Sequence, residues 1–218
     1  PGGERAIRET WRAAFAALFE AFGAEEALAL APRLRVFDGV TRLASVARMI
    51  TTGVSTVPAR GLGRWFDAIG ALTLGLPTAG FEGHVAIALE EARTSASERD
   101  APPYPVTLPT SLALGRELGQ AHEVDLRPTV VAVVSDLLAG VDAGHISARF
   151  HRTIAFATSH ALSRTLEETG LRRVVLSGGS FQNRVLEDEM VARLGRNRVL
   201  MSREVPLNDG GLALGQAW

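Results

Sequence analysis

Apolar residues recur at helical spacing from the start of the chain. Ile7, Trp11, Phe15, Leu18, Phe19 and Phe22 share one face between Glu4 and Phe22, and Gly23 stands where such a helix would end. A second helix is predicted over Glu25–Ala31, stopped by Pro32. A third covers Thr41–Thr52, with Leu43, Val46, Ala47 and Ile50 on one face and Gly53 closing it. Pro58, Gly61 and Gly63 break the chain before the apolar run Trp65–Leu76, which reads as a buried helix with Asp67 near its start. Gly80 opens a helix from Phe81 to Arg93, and the polar stretch TSASERDAPP (94–103) is the most loop-like part of the chain. Helices follow over Val130–Leu138 and Ile146–Thr169. The pattern then changes: Arg173–Leu176 is a short β-branched run ending in Ser177-Gly178-Gly179. A helix Phe181–Leu194, a strand Arg198–Ser202, a Pro-Asn-Asp-Gly-Gly turn and a short final helix come after it. The order is strand, turn, helix, strand, turn, helix, so the fold class is α/β, rich in helix, with its strands near the C-terminus.

Composition narrows the function classes. The 218 residues are 46% hydrophobic, enough to bury a core, and 23 basic against 24 acidic residues leave a formal charge of −1. Nothing in that balance recruits nucleic acid or an anionic membrane. No Ser/Gly-rich linker or charge block splits the chain, which favours one domain over two lobes. No run approaches the roughly 20 apolar residues that span a bilayer, and PGGERAIRE lacks the apolar core of a signal peptide, so the cytoplasm is expected. The absence of cysteine removes disulfides, thiolate metal ligands and a cysteine nucleophile from these residues. Pro1 in place of Met leads us to expect a longer parent polypeptide.

Four segments carry candidate chemistry. Ser177-Gly178-Gly179-Ser180-Phe181-Gln182-Asn183 lies between a strand and a helix. There glycines let the backbone approach a ligand, helix-start N–H groups favour phosphate or ribose oxygens, and two amides can read a base or sugar. The same glycines also serve an ordinary tight turn. Asn208-Asp209-Gly210-Gly211 is a second such turn, with Asp209 either capping a helix or ligating a metal that bridges to phosphate. Successive strand ends of one sheet would bring the two turns to a common crevice. Arg64 and Asp67 in GLGRWFD are either an internal ion pair or a ribose-binding carboxylate beside its cation. Glu82 and Gly83 in FEGH either place a charge at a helix start or join a ligand site. His84, His122, His145, His151 and His160 show no i, i+4 metal pair, and His151 and His160 are read as structural. No HExxH or Ser-His-Asp order appears, which disfavours a self-contained hydrolase.

The ordered series GRWFDAIGAL (63–72), FEGHVAIALE (81–90), FHRTIA (150–155), VVLSGGSFQN (174–183) and VPLNDGGLALGQA (205–217) resembles the hydrogenase-maturation carbamoyltransferases, HypF. The opening PGGERAIRETWR is similar to the start of the second half of their carbamoyl-transfer domain, so the resemblance covers nearly all of residues 1–218. It implies an actin-like ATPase (ASKHA) lobe related to the tRNA threonylcarbamoyl transferases. In that family, upstream domains convert carbamoyl phosphate and ATP to carbamoyl-adenylate, and this domain passes the carbamoyl group to a C-terminal cysteine of HypE, on the way to the cyanide ligands of [NiFe]-hydrogenases.

On that resemblance ATP or carbamoyl-adenylate is the ligand. Asp67, with Arg64, Glu82 and Gly83, meets the ribose side, while Gly178, Gly179, Gln182 and Asn183 hold the adenosine. Asp209 helps hold a divalent metal, Mg or Fe. The family completes its metal site with a His-x-x-x-His pair and an Asp-Gly-Thr-Gly turn from the preceding half-domain. Neither occurs here, so the remaining ligands are expected outside this chain, and the chain alone is expected to bind nucleotide weakly and catalyse nothing. No catalytic residue is assigned within it. His84 stands where the family usually has Gln, and the zinc-finger cysteines of the family are absent. The expected partners are HypE and the upstream half of the same domain. Two rival readings are an O-carbamoyltransferase of antibiotic biosynthesis and a non-catalytic, sugar-kinase-like or regulatory lobe.

Overall fold

The apolar stripes of the first half of the chain are buried against one another in a computed structural model that describes residues 3–59, 61–94, 101–108 and 123–217. Where the sequence favours one domain, the backbone divides into two compact units: Pro1–Pro105 with Leu126–Arg149, and Val106–Asp125 with Phe150–Trp218.

The first unit is helical. It comprises α1 (Glu4–Arg8), α2 (Trp11–Phe22), α3 (Ala24–Leu30), α4 (Leu43–Thr52), α5 (Leu62–Leu74), α6 (His84–Glu91) and α7 (Arg127–Leu138). α2 packs on α5 and α7, and α5 on α6. Phe15, Leu18, Ile69, Leu89, Val130 and Val133 are fully buried, and Phe15 meets Phe37 edge-on at 6.1 Å. Gly70 of α5 lies at the α5–α6 contact, where a Cβ would come within 2.6 Å of Val85 Cγ1, so the helices approach only because position 70 has no side chain.

Several predicted boundaries move, each for a local reason. The helix expected over Glu4–Phe22 breaks at Glu9 and Thr10. Thr10 Oγ1 donates to Leu76 O at 2.7 Å, Trp11 N–H donates to Pro77 O, and Ala79 N–H donates to Arg8 O, so this backbone pairs with the segment after α5. The second helix ends at Leu30, one residue before the expected Ala31, with Pro32 just beyond it. Pro32 enters a 3-10 turn, Ala31–Arg33, at a first-turn position where its missing N–H costs nothing. The helix expected from Phe81 starts at His84, because Gly80–Gly83 forms a turn in which His84 N–H donates to Phe81 O and Gly80 N–H donates to His84 Nδ1 at 3.2 Å. Most of the 94–103 loop and His122 lie outside the described residues.

Helix α8 (Ala143–Thr169) leads into the second unit, and Asp142 caps it by accepting from His145 N–H at 3.0 Å. There β1 (Val174–Leu176) and β2 (Val199–Met201) pair in parallel, Val174 beside Val199, with α9 (Arg184–Leu194) as the crossover. The helix expected from Phe181 begins instead at Arg184. Gly179–Gln182 is a 3-10 turn, and Asn183 is extended (φ −70°, ψ 107°), with its side-chain oxygen accepting the Leu186 N–H at 2.9 Å. Asparagine competes for backbone groups in this way and so starts helices more readily than it continues them. A 3-10 turn, Asp209–Gly211, and α10 (Leu212–Ala217) end the chain. Leu166, Val174, Leu176, Leu186, Met190 and Leu194 are buried, and Arg152 of α8 pairs with Glu189 of α9 at 3.2 Å. The fold is α/β and rich in helix, with a short parallel sheet near the C-terminus. Among the described residues no helix is long and apolar enough to cross a membrane.

Candidate functional site

Two groups of polar residues stand out, one in each unit. In the first unit α5 carries Arg64 and Asp67 three residues apart, on one face of its opening turns. Their side chains meet, Arg64 Nη2 to Asp67 Oδ2, at 2.6 Å. Asp67 is only 3% exposed, so the charge is out of water. The pair is ionic without being well hydrogen-bonded: among the described residues Arg64 Nη1 and Asp67 Oδ2 are buried with no hydrogen-bond partner. A stable internal salt bridge normally spends that capacity. Burial raises the Asp67 carboxyl above its ordinary value, Arg64 opposes the rise, and Glu82 adds to it. Glu82 therefore lies close enough to act on Asp67. It is exposed in the turn before α6, followed by Gly83 at φ +85°. The structure brings Arg64, Asp67 and Glu82 into one electrostatic group.

In the second unit the two turns follow the C-terminal ends of neighbouring parallel strands, and a backbone hydrogen bond, Gly178 N–H to Leu207 O at 2.8 Å, joins them. Gly178 has φ +100°, a conformation L side chains rarely adopt, so glycine is required there for the chain to turn out of β1. Gly178, Gly179 and Gln182 are exposed; Asn183 is half-buried. An open groove of about 420 Å³ lies beside them, lined by Phe181, Gln182, Arg184 and the 202–207 loop. Open strand ends of this kind are where α/β sheets take ligands.

The Asn-Asp-Gly-Gly turn divides its labour. Asn208 Oδ1 accepts the Gly210 N–H at 3.1 Å and so supplies the cap that the sequence offered to Asp209. The Asp209 carboxylate is exposed, and no ion pair reaches it among the described residues. It is also alone: among the described residues no group of three or more His, Cys, Asp or Glu could hold a metal ion. The described residues of this chain therefore do not build a metal site, and Asp209 offers one carboxylate toward one.

His151, expected to be structural, stands beside the candidate turn of the second unit. It is completely buried, and its Nε2 lies 2.9 Å from Asn183 Nδ2. The FHRTIA segment carried the signal, but nothing in the spacing of 151 and 183 announced the contact. His160, by contrast, is exposed.

Comparison with known proteins gives this geometry a context. The family described as carbamoyltransferase, Kae1-like domain, second subdomain, matches residues 1–216. Carbamoyltransferase HypF2 of Cupriavidus necator is 34% identical over 232 residues, covering 100% of this chain and 28% of that protein. Carbamoyltransferase HypF of Rhizobium leguminosarum bv. viciae is 33% identical over 220 residues, covering 99% and 26%. The chain therefore spans about a quarter of the length of these relatives. Among solved structures, full-length HypF in a phosphate- and nucleotide-bound form superposes with a TM-score of 0.79 at 29% identity, covering 100% of this chain and 27% of that one. HypF of T. kodakarensis gives the same TM-score at 22% identity.

Proposed function

This chain belongs to the carbamoyltransferase family of Kae1-like domains, as the second subdomain, and on that premise we propose that it supplies the nucleotide-facing half of a carbamoyl-transfer site. The substrate is carbamoyl-adenylate, made from carbamoyl phosphate and ATP, and the acceptor is the C-terminal cysteine thiolate of HypE. The observation that carries the reading is the pair of turns at the ends of β1 and β2, tied by the Gly178–Leu207 hydrogen bond, with exposed backbone on one and an unengaged carboxylate on the other.

Gly178, Gly179, Gln182 and Asn183 hold the adenosine part, the glycines through close backbone approach and the amides through hydrogen bonds. Asp67 meets the ribose hydroxyls, supported by Arg64 and the Glu82–Gly83 turn. Arg64 Nη1, buried with no hydrogen-bond partner among the described residues, is the capacity a ligand would use, while Asp67 Oδ2 stays paired with Arg64 Nη2. Asp209 is one ligand of a divalent ion, Mg or Fe, whose others come from the upstream half of the same domain. When bound, such an ion supplies charge against phosphate or carbamoyl oxygens. The nucleophile is the partner's thiolate; residues 1–218 contain no cysteine of their own. The reaction is cytoplasmic.

The test is calorimetric titration of ATP with Mg²⁺ into this chain and into a longer polypeptide that includes its upstream half, with carbamoyl transfer to a HypE C-terminal peptide followed in parallel. Binding and transfer in the longer protein, both lost in Asp209→Ala, are expected. A longer protein that transfers carbamoyl to a small-molecule hydroxyl and ignores the thiol would assign the O-carbamoyltransferase chemistry instead. Binding in neither polypeptide would reduce the glycine turns to turns.

A further inference from the structure

The buried imidazole of His151 is tied to the turn that the proposed function uses, and the direction of every hydrogen bond in that tie follows from atoms that leave no choice. The Leu186 backbone N–H can only donate, so the side-chain atom of Asn183 that it meets at 2.9 Å is the oxygen. The carboxamide nitrogen of Asn183 then faces His151 Nε2 at 2.9 Å, and an amide nitrogen can only donate. Nε2 must therefore present a lone pair, and the ring is the neutral tautomer with its proton on Nδ1. Orientation of amides and imidazoles is usually inferred from a whole network. Here one backbone donor decides both.

Asn183 joins the 3-10 turn Gly179–Gln182 to α9. Its own N–H donates back to Ser180 O at 3.4 Å, so the same residue closes the turn on one side and caps the helix on the other. With one bond on its oxygen and one on its nitrogen, the carboxamide keeps a lone pair and an N–H for a ligand. Without His151, the amide could rotate about its last bond, exchange oxygen for nitrogen and uncap α9. A fully buried His whose lone pair faces an amide of a ligand-binding turn acts on that turn even though it touches no ligand itself.

We infer that His151 is a positioning residue for the nucleotide turn: its Nε2 lone pair locks the Asn183 carboxamide in the one orientation that caps α9 and fixes the Gly179–Gln182 turn. The inference rests on the nucleotide reading of that turn. It assigns a function to the FHRTIA segment, which contributes none of the candidate ligand-binding residues.

The experiment compares the longer polypeptide carrying wild-type His151, His151→Leu and His151→Gln. Glutamine places an acceptor where Nε2 stood, whereas leucine fills the volume without one. Two quantities are read: ATP affinity by calorimetry and hydrogen exchange at the Leu186 amide. The loss of one net hydrogen bond corresponds to roughly tenfold in an equilibrium constant. His151→Leu should thus weaken ATP binding about tenfold and speed Leu186 exchange by a similar factor, with His151→Gln restoring both to within roughly threefold. Equal ATP affinity in wild type and His151→Leu would overturn the inference and leave the nucleotide reading intact; equally weak binding in Leu and Gln variants would overturn it too, since the lone pair would not be the cause. Wild type that binds no ATP would instead remove the nucleotide reading itself and the inference with it. Should His151→Leu fail to fold, the imidazole ¹⁵N spectrum of the wild type decides: a neutral ring protonated on Nδ1 is expected, and a ring carrying a proton on Nε2 refutes the lock.

Discussion

Replacing Gly70 with alanine sets two known effects against each other and measures how closely α5 and α6 are packed. In a helix interior alanine is favoured over glycine by about 1 kcal/mol, so on propensity alone the variant gains stability. Against that, the new Cβ falls 2.6 Å from Val85 Cγ1 and 3.0 Å from Val85 O. Val85 is fully buried and β-branched, so its side chain has no second rotamer to escape into, and the oxygen belongs to the backbone. Relief requires α6 to move, and overpacking of this kind costs about 2 to 3 kcal/mol. The net expectation is a loss of about 1 to 2 kcal/mol. For a protein of this size that lowers the melting temperature by roughly 2 to 8 °C. The assay is thermal and urea unfolding of wild type, Gly70→Ala, Val85→Ala and the double variant. The two substitutions should couple by about 1 kcal/mol or more, with the cost of Gly70→Ala reduced once Val85 is shortened and the tight contact with the Val85 carbonyl oxygen remaining. A Gly70→Ala protein as stable as wild type or more so, or one whose effect is unchanged in the Val85→Ala background, would refute the argument that this contact needs a bare backbone.

Three further outcomes are expected. Asp67 has its carboxyl raised in the folded state from a reference value of 3.8, so it binds protons more tightly folded than unfolded; relative to Asp67→Asn, wild type should lose stability as pH rises from about 4 through the raised value, measured by urea unfolding across that range. A relative gain over the same range would reverse the sign and sink the assignment. Asn183→Ala removes a helix cap worth about 1 kcal/mol and leaves His151 Nε2 buried without its donor, so its urea midpoint should report a loss of about 2 to 3 kcal/mol. Asp209→Ala should leave stability within about 0.5 kcal/mol of wild type, since the carboxylate is exposed and unpaired among the described residues, while weakening Mg-ATP binding at least tenfold in the longer protein; equal affinity would remove Asp209 from the site.

Periodicity made the helices legible wherever an apolar face had to be buried, as in α2, α4 and α5, because burial and helical spacing are the same constraint read twice. It failed where backbone groups found partners elsewhere in the chain. The break at Thr10 exists because Leu76 and Pro77 offer carbonyls there, and no local pattern around residue 10 encodes residues more than sixty positions away. Asn183 and Asn208 are a middle case. Asparagine announces a cap at either position, but Asn183 falls inside the helix expected over Phe181–Leu194, and Asp209 beside Asn208 offers a competing cap. The adjacency of the two glycine turns was legible from strand order alone, since successive parallel strands open at one end. The contact between His151 and Asn183 was not, because side-chain identity across a helix pair leaves no spacing signal. The division into two units is only half marked in the sequence: the prolines at 102, 103, 105 and 109 stand at the first boundary, but nothing comparable stands at residue 125.

That division bears on the order in which the protein can fold as it is made. The first unit includes Leu126–Arg149, so a nascent chain halted after residue 105 lacks α7, which packs on α2 and α5. The second unit begins with Val106–Asp125, whose ends pair through Thr107 and Asp125, but its sheet arrives only with residues 174–201. Emerging from a ribosome, the early segment of the second unit must wait, already synthesised, while the first unit is finished with chain that follows it. Neither unit can then be obtained by cutting the polypeptide once, and a cut between residues 149 and 150 severs the hydrogen-bonded ladder of α8 near its start.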